Sequence, residues 1–138
     1  MEHNYVFMIV IMIISGLLSS MYIWANRLGD IRLSINDLYM ILLMTGWMLF
    51  FMTLSYGDYY KTIYAGIFII AIFFSIRNQQ FITKGQYFTG MIPHHSMAVL
   101  MSRQLLKNDR TLTPEEMSFV KSIIKNQEEE IHWMKMRS

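Results

Sequence analysis

Residues 5–25 read YVFMIVIMIISGLLSSMYIWA, and this stretch decides the class of fold because none of its residues is charged. At about 1.5 Å per residue, a helix of roughly 20 residues crosses a hydrocarbon core about 30 Å thick. A cleaved signal peptide would carry basic residues ahead of its apolar core, whereas the first basic residue here is Arg27. We therefore expect a transmembrane helix that is retained.

Two further apolar runs follow the first. Residues 38–56 contain no charged residue, and residues 62–76 form a shorter uncharged run between Lys61 and Arg77. These two basic side chains can extend to the membrane surface and so lengthen the third span. No acidic or basic residue lies at the centre of a run, so nothing indicates a proton relay or a transporter. We predict an all-α protein with a membrane domain over residues 1–77 and transmembrane helices over 5–25, 38–56 and 60–77.

The composition agrees with a membrane protein and excludes other classes. Hydrophobic residues make up 54% of the 138 residues and charged residues 16%, against about a quarter charged in soluble domains. The 12 basic and 10 acidic residues are interspersed, so no basic block indicates nucleic acid as a partner. The absence of cysteine removes disulfides and thiolate metal sites, and leaves the 14 methionines as the sulfur donors.

A methionine stripe runs along the second apolar segment. Met40, Met44, Met48 and Met52 recur every fourth residue, which gives a slowly drifting line on a helix. The line could be a ladder for a soft metal ion or a surface for packing and lipid contact. We interpret it as a surface for packing or lipid contact, because methionine is an ordinary apolar filler and no polar residue accompanies the stripe.

The carboxyl-terminal part of the chain is polar and is predicted to form a helical hairpin. Residues 78–90 form a connector with two glycines, and the hairpin covers residues 91–138. Pro93 fits either near the start of the first helix or at a kink within it. The second helix begins at Thr113-Pro114-Glu115-Glu116, a capping box with Thr at the N-cap and Glu at N3.

Each hairpin helix is predicted to have an apolar face. His94, Met97 and Met101 share one face of the first helix, and Ile124 and Ile131 lie in the apolar arc of the second. Two helices of this size cannot bury both faces against each other alone. We therefore expect a homo-oligomer, at least a dimer, whose paired hairpins complete a four-helix bundle.

The segment MIPHHSMAVLM, residues 91–101, concentrates two of the four histidines and three methionines. His94, Met97 and Met101 follow i, i+3, i+7 spacing, and His95 lies four residues after the first methionine of the segment. Imidazole with thioether, without thiolate or clustered carboxylate, suits Cu(I) and its soft analogue Ag(I). The alternative is an ordinary amphipathic helix with core methionines and two histidines at the solvent edge.

MIPHHSMAVLMS (residues 91–102), followed by I-x-x-Q-x-x-E-I-x-x-M at residues 124–134, resembles the domain of unknown function 305 family, especially its small members with three transmembrane helices. The resemblance implies ferritin-like hairpins that form four-helix bundles and bind copper outside the cytoplasm. Matched residue by residue, the metal-associated motif falls on Met91, His94, His95 and Met97, and the tail methionine on Met134. These five residues, with Met101 as a weaker candidate, are the predicted ligands of Cu(I).

An enzyme is not expected. Glu129-x-x-His132 has the spacing of a di-iron ligand pair, but residues 93–107 contain no Asp or Glu to complete such a site. Ser96 and Ser102 lack a recognisable base-and-acid arrangement for nucleophilic chemistry. We expect His132 to pair with Glu128 on the helix surface instead.

Two features of the sequence predict different sides of the membrane for the hairpin. Lys61 lies on one side of the membrane, and the other side carries Arg27, Arg32, Arg77 and Lys84, which favours a cytoplasmic hairpin. The family resemblance implies the opposite, and we follow it and expect a multi-pass protein with an extracytoplasmic hairpin. The predicted function is copper binding at a membrane, in metal tolerance, storage or delivery. The alternative is a membrane-anchored helical interaction module without metal, with lipid and a second copy as partners in either case.

Overall fold

The structure is a computed structural model that describes residues 4–138. Within this range the chain forms α-helices and short 3-10 turns and no strand, so the predicted all-α class is confirmed. The α-helices are α1 (Tyr5–Ser19), α2 (Ile35–Ser55), α3 (Tyr59–Arg77), α4 (Lys84–Asn108) and α5 (Pro114–Lys135). Two 3-10 turns, Met21–Trp24 and Leu28–Asp30, separate α1 from α2 in the sequence.

The chain divides into two compact units. The apolar unit contains residues 4–20 and 35–81, and the hairpin unit contains Met21–Ser34 and Ile82–Ser138. Residues 21–34 thus pack with the hairpin, although the sequence analysis counts them in a membrane domain over residues 1–77. The cause is a set of hydrogen bonds from this segment to the hairpin, which is described with the candidate site.

Three helical stretches are long and apolar enough to cross a membrane: Tyr5–Trp24, Ile35–Ser55 and Tyr59–Arg77. The α-helix of the first stretch ends at Ser19 rather than near residue 25, because Ser20 has extended backbone with φ −72° and ψ 157°. The Ser19 hydroxyl donates to the Ser15 carbonyl oxygen. Such serine bonds to the helix backbone weaken a helix locally, which favours its end at this point.

The helices of the apolar unit pack through small and hydroxyl-bearing residues. A Cβ atom on Gly16 of α1 would lie 2.8 Å from Ile41 Cγ2 of α2, so only glycine permits this close approach. Gly46 of α2 lies similarly close to Ile69 of α3, where a Cβ would be 3.0 Å from Cγ1. The buried Thr62 hydroxyl donates to Thr53 Oγ1 at 2.9 Å. Close contacts at glycine and hydroxyl bonds between helices are typical of helices packed in a membrane.

Helix α4 is longer than the sequence analysis predicts. It begins at Lys84 with the Thr83 side chain as its N-cap, so it includes the second half of the predicted connector 78–90. Pro93 lies inside this helix and is buried. Of the two positions left open for Pro93, the structure therefore shows the interior one.

Helix α5 begins as the capping box predicts. The Glu116 backbone N–H donates to Thr113 Oγ1 at 3.2 Å, and the Thr113 backbone N–H donates to Glu116 Oε2 at 2.8 Å. Pro114 occupies the first turn, where its missing N–H leaves no helix hydrogen bond unmade. This local prediction is confirmed.

The buried stripe of α4 differs from the predicted one. Phe88, Ile92, Ser96 and Val99 are buried, whereas His94 and Met101 are exposed. The reason is that Phe88 lies within α4 rather than in a connector, and from Phe88 onward the spacing of four, four and three residues defines a helix face. On α5, Val120, Ile131 and Met134 are buried within the chain, and Ile124 packs against the hairpin core. Val120, Ile131 and Met134 thus pack within one chain, whereas the sequence predicts that the arc of Ile124 and Ile131 meets a second hairpin; association between hairpins stays a prediction.

Candidate metal centre

A cleft of about 550 Å³ opens on the hairpin unit and contains three of the predicted ligands. Met91 and His95 lie one turn apart on α4, and Met134 reaches the cleft from α5. The cleft is lined by Tyr87, Phe88, Met91, His95, Asn126, Glu129, Glu130, Trp133 and Met134. The antiparallel pairing of α4 and α5 thus brings the tail methionine and the motif to the same place.

Among the predicted ligands, Met134 is the one that the sequence places furthest from the others. The hairpin register estimated from the sequence puts it near Tyr87, about two turns of helix away from His94. In the structure Tyr87 and Met134 do line the same cleft, and Met91, one turn further along α4, lines it with them. Met134 is buried, so its position is fixed by the hairpin core.

The His95 imidazole is held in a largely buried position, with 15% of its side chain exposed. Its Nδ1 atom lies 3.0 Å from Glu130 Oε2, but the alignment is poor and the buried nitrogen lacks a hydrogen bond. Burial lowers the pKa of His95 below its usual value, and the neighbouring His94 adds to this, while Glu130 opposes it. His95 is therefore a neutral imidazole near pH 7, the form that coordinates metal ions.

The donor atoms in the cleft are chemically soft or borderline. They comprise the thioether sulfurs of Met91 and Met134 and the imidazole of His95, and Glu129 and Glu130 add negative charge at the cleft wall. In residues 4–138, no three side chains of His, Asp and Glu form a group that could hold a metal ion. Two thioethers and one neutral imidazole fit Cu(I) or Ag(I), whereas Mg²⁺ and Ca²⁺ prefer oxygen ligands.

Aromatic side chains form one wall of the cleft. The rings of Phe88 and Trp133 meet edge to face, with centroids 5.4 Å apart and an interplanar angle of 88°. The Arg137 guanidinium lies over the Trp133 ring, 4.0 Å from its centroid. An apolar wall beside a metal site restricts the access of water and lowers the local dielectric constant. Trp133 is also a fluorescent reporter at the site itself.

The other three predicted ligands do not line this cleft. His94 is exposed, and its ring centroid is 6.4 Å from that of His95. Met97 is half-buried and Met101 is exposed. Their assignment as ligands stays a prediction, and the structure groups only Met91, His95 and Met134 around a common space.

The predicted surface pair between His132 and Glu128 is not formed. Glu128 Oε1 instead accepts from Arg103 Nη2 at 2.7 Å and lies 3.5 Å from Arg27 Nη2. Two guanidinium groups thus pair with the Glu128 carboxylate, which the helix spacing predicts as the partner of His132. Arg103 comes from α4 and Arg27 from the segment 21–34, so neither could be found from spacing within α5.

A buried carboxylate next to the site escaped the sequence analysis. Asp30 is only 2% exposed and accepts a hydrogen bond from Ser96 Oγ at 2.6 Å and a second from Lys135 Nζ. Ser96 Oγ in turn accepts from the Asn26 backbone N–H at 2.9 Å. Burial by itself raises the pKa of Asp30, but the hydrogen bonds from Lys135 and Ser96 outweigh it and hold the pKa below the usual value.

Asp30 joins the segment 21–34 to the hairpin through two residues that are each next to a predicted ligand in the sequence. Ser96 directly follows His95, and Lys135 directly follows Met134. The segment also lies against α4 where Ser34 Oγ would be 3.0 Å from a Cβ atom on Gly90. The hairpin is therefore partly covered by its own chain, which reduces the apolar surface that the sequence analysis assigns to a partner.

Comparisons with known proteins cover this part of the chain. The sequence model of the family described as "Domain of unknown function (DUF305)" matches residues 77–137, which include all six predicted ligands. The chain is 43% identical over 132 residues to an uncharacterized protein of Acanthamoeba polyphaga mimivirus. That similarity covers 92% of this chain and 86% of the viral protein. No solved structure matches the chain.

Proposed function

This chain belongs to the family described as domain of unknown function (DUF305), and on that premise we propose that it binds Cu(I) in the hairpin cleft, with Ag(I) as a soft analogue. The observation that carries the proposal is the common cleft lined by Met91, His95 and Met134. The role is binding rather than catalysis, for copper tolerance, storage or delivery. Copper is the cargo of the site.

Each residue of the proposed site has a separate task. Met91 and Met134 offer thioether sulfurs, which stay uncharged and favour soft monovalent ions. His95 offers a neutral imidazole, and the Glu130 carboxylate, whose Oε2 lies 3.0 Å from His95 Nδ1, partly opposes the lowering of the His95 pKa by burial. Glu129 and Glu130 raise the local concentration of cations. This division of roles favours Cu(I) over Zn(II), which prefers thiolate, imidazole and carboxylate ligands.

The second part of the proposal is that α1, α2 and α3 cross a membrane and that the hairpin lies outside the cytoplasm. Glycine contacts and the hydroxyl pair of Thr53 and Thr62 support insertion, since both are common between membrane helices. Two spans, α2 and α3, separate residues 21–34 from residues 82–138, and an even number of crossings returns the chain to one side. Thioether ligands also suit an oxidising compartment, where thiolates are lost to disulfides.

The third part of the proposal is self-association of the hairpins. Met117 and Phe119 of α5 and Leu105 of α4 remain exposed on the hairpin unit, and an interface between two hairpins would remove such apolar side chains from water. We expect Met117→Glu with Phe119→Glu to produce monomers, because charges cannot be buried unpaired. Sedimentation in detergent measures this, with Lys121→Glu as the control charge change. If the wild type is monomeric across a concentration series, the self-association proposal is wrong, and the metal-site proposal is unaffected.

The metal proposal is tested in the full-length chain with Trp133 as its one tryptophan, made by Trp24→Phe and Trp47→Phe. Anaerobic titration with Ag(I) should quench Trp133 fluorescence, because this ring lines the cleft. Met91→Leu with Met134→Leu should weaken binding by about 100-fold or more, since even outer-shell losses cost about 10–100-fold. Leucine preserves side-chain volume, so the hairpin should stay folded.

Met117→Leu with Met136→Leu is the matched control, because it removes two thioethers of the same hairpin that lie outside the cleft and are not among the predicted ligands. This pair should leave the Ag(I) affinity unchanged, and Zn(II) should quench neither protein at equal concentration. Equal affinities in the wild type and the Met91/Met134 variant would show that the cleft is not the site. The interaction-module reading would then be favoured.

A further inference from the structure

A second methionine cluster lies in the apolar unit and spans two helices. A cavity of about 420 Å³ is lined by Met12, Met44, Trp47, Met48, Phe51 and Met52. Three of the four methionines belong to the stripe on α2, and Met12 comes from α1. Met12 is 8% exposed, so it is fixed between the helices rather than free at the surface.

Gly16 accounts for the position of Met12 opposite the stripe. It lies one turn after Met12 on α1, and a Cβ atom there would be 3.1 Å from Met44 Cε and 2.8 Å from Ile41 Cγ2. The missing side chain allows α1 to approach α2 at this level. As a result, a thioether of α1 and three thioethers of α2 border one space.

The stripe methionines are accessible from outside the helix pair. Met44 and Met48 are 41% and 52% exposed and border open volume, so their thioether sulfurs can be reached by a ligand. Met40, the first member of the stripe, does not line the cavity. The stripe is thus divided into a part that shares a space with Met12 and a part that does not.

We propose that this cavity is a second site for Cu(I) or Ag(I), formed by thioethers alone. Methionine has three rotatable bonds and a polarisable sulfur, so several methionines can close on an ion from a loose arrangement. The rings of Trp47 and Phe51 stack at 5.7 Å in the cavity lining, and aromatic faces attract cations where no carboxylate is present. No lining residue is acidic or a histidine. The site therefore selects soft monovalent ions and excludes Zn(II), Mg²⁺ and Ca²⁺.

The test uses the full-length chain in detergent with Trp47 as its one tryptophan, made by Trp24→Phe and Trp133→Phe. Ag(I) should quench Trp47 fluorescence in a saturable titration. Met12→Leu with Met48→Leu should weaken binding by about tenfold or more. The matched control is Met8→Leu with Met40→Leu, which removes one thioether from each of the same two helices outside the cavity lining. The control should bind Ag(I) as the parent protein does.

Native mass spectrometry separates this proposal from the hairpin site. Each chain should carry two Ag(I) ions, and either the Met12/Met48 pair or the Met91/Met134 pair should remove one of them. Met44→Leu with Met52→Leu provides a second cavity variant if the first lowers helical circular dichroism. Equal affinity at Trp47 in the cavity and control variants would overturn the proposal. So would an absence of quenching at Ag(I) concentrations that saturate the hairpin cleft.

Discussion

The buried carboxylate of Asp30 accepts a hydrogen bond from the hydroxyl of Ser96 at 2.6 Å, across 66 residues of sequence. The same carboxylate accepts from Lys135, so one acidic side chain fixes positions next to both His95 and Met134. Helices α4 and α5 both contribute to the proposed metal cleft, and Asp30 is hydrogen-bonded to one residue of each. The segment 21–34 is therefore the third part of the chain that packs in the hairpin unit.

Asp30→Asn should loosen the segment 21–34 and lower the free energy of unfolding of the hairpin unit by about 1–3 kcal/mol, because the Lys135 ammonium loses its carboxylate partner. Hydrogen exchange of the amides of residues 21–34 measures the loosening, and thermal unfolding measures the stability. Glu115→Gln removes one exposed carboxylate and serves as the control. Unchanged exchange in the Asp30 variant would show that this carboxylate does not fasten the segment.

The same contact predicts a dependence on acidity. The pKa of Asp30 is lower in the folded chain than the usual value of about 3.9. Its stabilisation is therefore complete above about pH 5, well above the usual pKa, and is lost as the pH falls through the lower, folded-state pKa. The difference in melting temperature between wild type and Asp30→Asn should stay constant from pH 7 to about pH 5 and shrink below about pH 4. A difference that already shrinks near pH 6 would assign the effect to another group.

Gly16 offers a test of helix packing in the apolar unit. Gly16→Ala places a methyl group 2.8 Å from Ile41 Cγ2, and overpacking of this kind costs about 1–3 kcal/mol. Gly66→Ala is the matched control on α3, because its nearest neighbour would be 3.7 Å away. Thermal unfolding in detergent should show a loss for position 16 and no loss for position 66. Equal melting temperatures would mean that α1 does not approach α2 as closely as the structure has it.

The sidedness of the hairpin is measurable because the chain lacks cysteine. Arg110→Cys places a thiol in the exposed hairpin turn, and Tyr60→Cys places one at the exposed start of α3. In intact cells, a membrane-impermeant thiol reagent should label position 110 and spare position 60. The reverse pattern would restore the cytoplasmic hairpin that the Lys and Arg distribution favours.

Features that depend on neighbouring residues were predictable from the sequence. The capping box of Thr113 and Glu116 lies within four residues, and the three apolar stretches are visible as uncharged runs. The sequence predicts the start of α4 too late, because Gly85 and Gly90 favour a connector. Phe88 is therefore left out of the predicted helix, and the predicted buried face differs from the observed one. The contact of Asp30 with Ser96 joins distant segments, and no spacing rule relates them.

The candidate site shows the same limit. The motif near residue 91 and the tail methionine were found from the sequence, but their separation along the hairpin could be judged only roughly. Which histidine enters the cleft depends on the helix face, and that face depends on where α4 begins. His95 rather than His94 lines the cleft for this reason. The approach of Met12 to the methionine stripe likewise depends on the packing of α1 on α2 at Gly16.

X-ray absorption spectroscopy of bound Cu(I) tests the central claim most directly, because it identifies the atoms that coordinate the metal. The protein should carry Met12→Leu and Met48→Leu, so that one equivalent of Cu(I) reports on the hairpin cleft alone. We expect sulfur and nitrogen together in the coordination shell, and loss of the sulfur when Met91→Leu and Met134→Leu are added. A shell of nitrogen and oxygen only, or sulfur that persists after both methionines are replaced, would contradict the proposed site.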